Sequence, residues 1–169
     1  MSTRRTVLGW AAGLACTVLV VGGFALGVHL SNLHNGLLAA SFTAVALVVL
    51  RQRPGHPEGR LFLAVGLVQA VMFFGRQYGL DGDALAGQRS VAWFGVWPLA
   101  LAQALAGLAL MSFPTGRLPA RLWRGVAAAM LAVAVLLSSV SALWPVEYVA
   151  TGLAVPPLVE LPGTPSVQP

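Results

Sequence analysis

Residues 126–144 read VAAAMLAVAVLLSSVSALW and contain no charged side chain. The hydrocarbon core of a bilayer is about 30 Å thick, and an α-helix crosses it in about 20 residues. Comparable apolar stretches precede this one, and we predict five spans, numbered in chain order: Val7–Val28, Leu33–Leu50, Leu61–Tyr78, Val91–Phe113 and Val126–Trp144. The sequence therefore predicts an all-α membrane protein, a helical bundle of about five transmembrane helices.

The composition of the 169 residues supports this class. Hydrophobic residues make up 57% of the chain and charged residues only 9%, whereas a soluble domain carries about 25% charged residues. The net charge of +5 comes from arginines in short loops, so we expect the lipid bilayer as partner and no nucleic acid. Because Cys16 is the only cysteine, an intrachain disulfide is excluded.

The arginines are concentrated in alternate loops, which predicts the orientation of the chain by the positive-inside rule. With a cytoplasmic N-terminus, Arg76 and Arg89 lie outside, and the other arginines lie inside: Arg4, Arg5, Arg51, Arg53, Arg60, Arg117, Arg121 and Arg124. We therefore predict an N-in, C-out topology. Residues 1–6 form the cytoplasmic N-terminus, residues 7–144 the bundle, and residues 145–169 a Pro-rich, disordered external tail.

The first span carries a stripe of glycines that we predict to be a helix-packing surface. Gly9, Gly13, Gly23 and Gly27 cluster on one face at about 100° of rotation per residue. Small residues on one stripe let another helix approach closely in lipid. The partner helix is either another span of this chain or a helix of a second molecule, as in a homodimer.

Two amides and a proline are the candidate ligand or packing residues inside the membrane. Gln69 lies near the middle of span three and Gln103 near the middle of span four, so antiparallel packing puts them at similar depth. A polar group in hydrocarbon needs a partner; the two amides either bond to each other or line a polar ligand cavity. Pro98 predicts a kink or local opening in span four, since its ring removes a backbone donor.

Residue patterns for catalysis are missing from the sequence. It contains no Gly-rich phosphate loop, metalloprotease helix motif or serine nucleophile elbow. His29 and His34 lie on the outer side in the predicted topology and His56 on the inner side; two histidine ligands without a cysteine or a nearby acid make a weak metal site. No Asp, Glu or Arg lies deep in a predicted span, as an ion path would require. We therefore predict no enzymatic activity, no metal and no cofactor.

Two loop segments resemble a known family. The segment Phe113-Pro-Thr-Gly-Arg-Leu-Pro-Ala-Arg-Leu-Trp-Arg124 closely resembles the Phe-Pro-Asp-Gly-Arg-Leu-Pro…Arg-Trp-Arg loop in the membrane-embedded N-terminal region of many actinobacterial sensor histidine kinases. The matching residues are Phe113, Pro114, Gly116, Arg117, Leu118, Pro119, Trp123 and Arg124. The earlier segment 53–61 is similar to the Arg-Pro-x-Asn-Pro-Ile-Gly-Trp-Leu segment of the same region, with His56, Glu58 and Arg60 as departures.

This resemblance implies a multi-pass sensory or input module of two-component signal transduction in the bacterial cytoplasmic membrane. Such kinases continue into a cytoplasmic helix with the phosphoacceptor histidine and an ATP-binding domain, which this sequence does not contain; His56 is not carried over as phosphoacceptor. We expect a stand-alone relative, a truncated product or a fragment, with kinase activity only if a C-terminal region was lost. The alternative function is a small transport or membrane-assembly component, with ligand passing between spans three and four.

Overall fold

The computed structural model describes residues 2–81, 85–153 and 158–159, and in these residues the chain forms helices and no strand. The elements are α1 (Ser2–Leu26), α2 (Leu30–Gln52), α3 (Pro57–Leu80), α4 (Gln88–Trp93), α5 (Leu99–Ser112), α6 (Arg121–Leu143) and α7 (Pro145–Ala150). The predicted all-α class is confirmed. The side chains of Arg4 and Arg5, and residues 154–157 and 160–169 of the predicted tail, lie outside the described part.

Four stretches of helix are long and apolar enough to cross a membrane: Val7–Leu26, Leu30–Gln52, Pro57–Leu80 and Arg121–Leu143. The chain is therefore a membrane protein, as predicted. The exception is span four, predicted as one helix over Val91–Phe113. It is divided into α4 and the 14-residue apolar helix α5, and α5 alone reaches only about 21 Å at 1.5 Å per residue.

The division of span four lies between Trp93 and Leu99 and confirms the interruption predicted at Pro98. Pro98 has no N–H to continue a helix, and its ring clashes with the carbonyl four residues earlier. It becomes the N-cap of α5, while the N–H of Leu99 bonds at 3.4 Å to the carbonyl of Val96 instead of reaching back to Gly95. The carbonyl of Gly95 accepts instead from Nε of Arg76 in α3, at 2.6 Å.

The central element of the bundle is α3. In its apolar window 61% of residues are buried, against 17–28% for the other three membrane-length helices. It packs against α1, α2, α4 and α5, while α6 packs on α5. Apolar side chains on α1 and α6, such as Val18, Val21, Leu136 and Leu137, are exposed, as expected of helices that face lipid.

The glycines of the first span pack against other helices of the same chain. A Cβ built on Gly13 would lie 2.7 Å from the side chain of Leu47 in α2, and one built on Gly23 would lie 2.5 Å from the ring of Phe73 in α3. Gly9 faces Leu50 of α2. Gly27 lies beyond the end of α1, with a φ of +142°. In the described contacts, the helices that pack on the glycine stripe of α1 therefore belong to this chain and not to a second molecule.

The start of the predicted disordered tail is folded, which corrects the boundary at residue 145. Pro145 opens α7, a first-turn position that suits its fixed φ. Tyr148 and Leu153 are buried against Ala92 and Val96, and this burial raises the pKa of the Tyr148 hydroxyl. The burial of these apolar side chains stabilises the folded segment. The high proline content of the sequence gave no indication of this burial.

A substitution of Gly75 tests the close approach between α3 and the interrupted segment, residues 94–98 between α4 and α5. A Cβ at Gly75 would lie 2.7 Å from the backbone nitrogen of Gly95 and 2.8 Å from the carbonyl oxygen of Val91. Because backbone cannot move aside like a flexible side chain, we expect Gly75→Ala to lower the free energy of unfolding in detergent by about 1–3 kcal/mol. The matched control is Gly125→Ala in α6, where a Cβ meets nothing within 4 Å. Equal effects of the two substitutions would contradict the packing.

Candidate functional site

The two loop segments singled out in the sequence, residues 53–61 and 113–124, meet at one end of the bundle. The turn between α2 and α3, residues 53–56, and the turn between α5 and α6, residues 113–120, both lie at this end, which we call the basic end. The helices that carry these turns are linked there by a hydrogen bond of 3.0 Å, in which the hydroxyl of Ser112 at the end of α5 donates to Oε2 of Glu58 in the first turn of α3.

Gly116 makes a contact between these segments. Its φ of +69° lies in the left-handed region, which favours glycine. A Cβ at this position would overlap the ring of Pro57 and lie 3.0 Å from the backbone nitrogen of Glu58. Glycine is therefore required both by the turn and by the close packing of the 113–120 turn on the start of α3.

The two segments enclose an open cleft of about 840 Å³. Its walls come from α3, α5, the 113–120 turn and the first residues of α6. The apolar lining residues are Pro57, Leu61, Ala64, Leu108, Gly116 and Leu118, and the polar ones are Arg60, Ser112, Arg117 and Arg124. A volume of roughly 300–1,000 Å³ is typical of small-molecule sites, so this cleft is the candidate functional site.

The other residues of the predicted family-like loop do not line the cleft. Phe113 and Trp123 are exposed, and the peptide bond between Phe113 and Pro114 is cis. Pro119 is also exposed and lies directly before Ala120, the N-cap of α6. Of the eight matching residues, the structure thus brings Gly116, Arg117, Leu118 and Arg124 together around the cleft.

Glu58 lies behind the cleft and is almost completely buried, with 2% of its surface exposed. Its Oε1 has no hydrogen-bond partner among the described groups. The Ser112 hydroxyl that reaches Oε2 also lies 2.8 Å from the carbonyl of Leu108, and its single proton serves one acceptor at a time. The carboxylate is therefore incompletely satisfied. The sequence placed Glu58 in a loop; its position next to Pro57 at the start of a helix was the available indication of burial.

A polar network occupies the opposite end of α3, and the sequence did not predict it. Gln77 donates to the carbonyl of Gly27 at 2.6 Å, and its Oε1 lies 3.2 Å from Nδ2 of Asn32 and 3.1 Å from Nδ1 of His29. Asn35 donates to Asn32 at 2.9 Å. The predicted second span began at Leu33, but α2 begins at Leu30 and so buries both asparagines. These groups satisfy one another and hold the α1–α2 turn on α3.

The two mid-membrane amides have different surroundings. Gln69 is buried in α3 and its Oε1 has no partner among the described groups, whereas Gln103 on α5 is exposed. The described hydrogen bonds include none between them, so the structure does not bring this predicted pair together. Pro98, the third residue of that group, is buried where α5 begins.

Comparison of the chain with protein-family models, curated proteins and solved structures finds no match. Within the described residues, no three His, Cys, Asp or Glu side chains come together as a metal site would require. The chemistry that the cleft offers is therefore that of three guanidinium groups, an apolar wall and one serine hydroxyl.

A substitution of Ser112 tests the hydrogen bond that links α5 to α3. We expect Ser112→Ala to lower the free energy of unfolding by about 1–3 kcal/mol, because it leaves the buried Glu58 carboxylate without its hydrogen bond. Ser139→Ala is the matched control: Ser139 also bonds the carbonyl four residues before it, but it is exposed, so its loss should change stability by less than about 0.5 kcal/mol. Unfolding followed in detergent measures both, and a silent Ser112→Ala would contradict the link.

Proposed function

We propose that this chain is a multi-pass input module of a two-component signalling system in the bacterial cytoplasmic membrane, without catalytic activity of its own. The observation that supports it is the packing of the two kinase-like segments. They lie far apart in the sequence, yet they contact each other through Gly116 and Pro57, next to the hydrogen bond from Ser112 to Glu58. Both line one cleft, as expected if the resemblance reflects a shared site.

In this proposal, occupancy of the cleft changes the position of α5 relative to α3. The cleft walls include Leu61 and Ala64 of α3 and Leu108 of α5, so a ligand between them contacts both helices. A ligand shifts a conformational equilibrium only by its difference in affinity for the two states. Arg76 of α3 bonds the carbonyl of Gly95 just before α5. A displacement of α5 relative to α3 at the basic end would therefore also affect the contact of α3 with the interrupted segment.

We further propose five membrane crossings with the N-terminus inside, the fourth made by α4, the interrupted segment and α5 together. Two features support this topology. The turns at 53–56 and 113–120, with their flanking arginines, share the basic end, whereas Arg76 follows α3 toward its other end. The short α5 is extended by residues 88–98, so that the pair of helices approaches the length of the longer spans.

Reporter fusions test the topology. A reporter that is active only in the cytoplasm should work when fused at Gly55 or Pro119, because the positive-inside rule keeps both turns inside. It should be silent when fused at Gly82 or after Pro162, positions outside the described residues. Equal expression of the four fusions, checked by immunoblot, is the control. A reporter active after Pro162 would overturn the five-crossing topology.

A second candidate function, a small transport or membrane-assembly component, is favoured by one observation. The interrupted segment between α4 and α5 lies beside α3, and discontinuous helices at membrane depth often line the substrate sites of transporters. Buried Gln69, with its unpartnered Oε1, lies on the same helix. Against it, the described spans carry no acid near their middle of the kind that ion-coupled transport uses.

The two functions differ in what deletion of the gene changes. In the source bacterium, we expect deletion to change the phosphorylated fraction of one response regulator, measured by phosphate-affinity electrophoresis. Gly116→Val should reproduce the deletion because its side chain would separate the two segments. Gly125→Val, in open space on α6, should complement it at equal membrane abundance. Unchanged phosphorylation of every regulator, with altered solute uptake, would replace the signalling function by transport.

A further inference from the structure

The three arginines of the cleft have no described partner for their charge. Arg60, Arg117 and Arg124 all line the cleft and are exposed. None of their guanidinium groups forms a hydrogen bond or an ion pair with a described residue. Glu58, the acid of this end, is bonded to Ser112 and is not a lining residue. The cleft is therefore a concentration of positive charge without an internal counter-charge on its walls.

Most of the other residues that line the cleft are apolar. Leu61 and Ala64 follow Arg60 along the first turns of α3, and Leu108 of α5 lines the cleft with them. Both helices run from here into the apolar body of the bundle. The cleft thus joins a cationic rim to an apolar groove at the ends of membrane-length helices, and such ends meet the lipid headgroups in a bilayer.

We propose that the cleft binds one phospholipid with an anionic headgroup. The guanidinium groups of Arg60, Arg117 and Arg124 hold the phosphate, for which arginine is suited by its planar, bidentate donors. The glycerol and the first carbons of an acyl chain lie along Leu61, Ala64 and Leu108. A soluble phosphate would leave that wall unused, and basic pockets between transmembrane helices are known to take acidic headgroups. This inference goes beyond the proposed function and does not depend on it.

Lipid titration of the purified full chain in an uncharged detergent tests the site. By native mass spectrometry we expect one phosphatidylglycerol to be retained per chain, and phosphatidylcholine with the same acyl chains to be lost. Each of Arg60→Gln, Arg117→Gln and Arg124→Gln should weaken phosphatidylglycerol binding about tenfold, the effect of removing one charged hydrogen bond. The matched control is the Arg51→Gln, Arg53→Gln pair, exposed arginines of the same end outside the cleft, which should leave binding unchanged.

A second variant separates the cleft from general surface charge. Ala64→Phe fills the apolar wall without changing any charge, so we expect it to abolish retention of phosphatidylglycerol. Loss of binding in the Arg51, Arg53 control, or full binding by Ala64→Phe, would show a diffuse electrostatic attraction and overturn the proposal. Equal retention of phosphatidylcholine would do the same. Competition by millimolar glycerol 3-phosphate or inorganic phosphate would assign the cleft to a soluble anion instead of a lipid.

Discussion

The hydrogen bond from Nε of Arg76 to the carbonyl of Gly95 is the interaction on which the second half of the bundle depends. A buried backbone carbonyl released from a helix needs another donor. The N–H of Leu99, which would reach Gly95 in a continuous helix, bonds the carbonyl of Val96 instead, and Arg76 supplies the donor for Gly95 across the interface. The approach is possible because Gly75 and Gly95 both lack a side chain at the crossing. The carbonyl that the interruption leaves without a helical partner is thus satisfied by an arginine of another helix.

The same helix, α3, organises both ends of the molecule. Its first turn carries Glu58 to the end of α5, and its last turns carry Gln77 to the α1–α2 turn. Between them the helix is mostly buried, with Met72 and Phe73 fully enclosed. Since close-packed interiors transmit displacements instead of absorbing them, α3 is the element through which the cleft and the polar network would influence each other.

Hydropathy predicted the four long helices and the membrane class, because helix length and apolar content are local properties. Tertiary contacts decided the rest. Asn32 and Asn35 look like loop residues in the sequence, but Asn32 donates to Gln77, more than forty positions away, and Asn35 donates to Asn32. The ordering of Tyr148 likewise requires Ala92 and Val96. The sequence did not predict the cleft. The loop motif singled out Gly116, Arg117, Leu118 and Arg124, but the docking of this loop on Pro57 and Glu58 follows from the packing of α5 on α3.

The short α5 is the element whose ends are both fixed by other helices. Near its start, the N–H of Leu101, one of the first-turn donors that no helical carbonyl can reach, lies 3.3 Å from the hydroxyl oxygen of Ser138 in α6. At its end, Ser112 bonds Glu58 of α3. A displacement of α5 would therefore break hydrogen bonds at both of its ends, so the packing of α3 and α6 holds this short helix in one position.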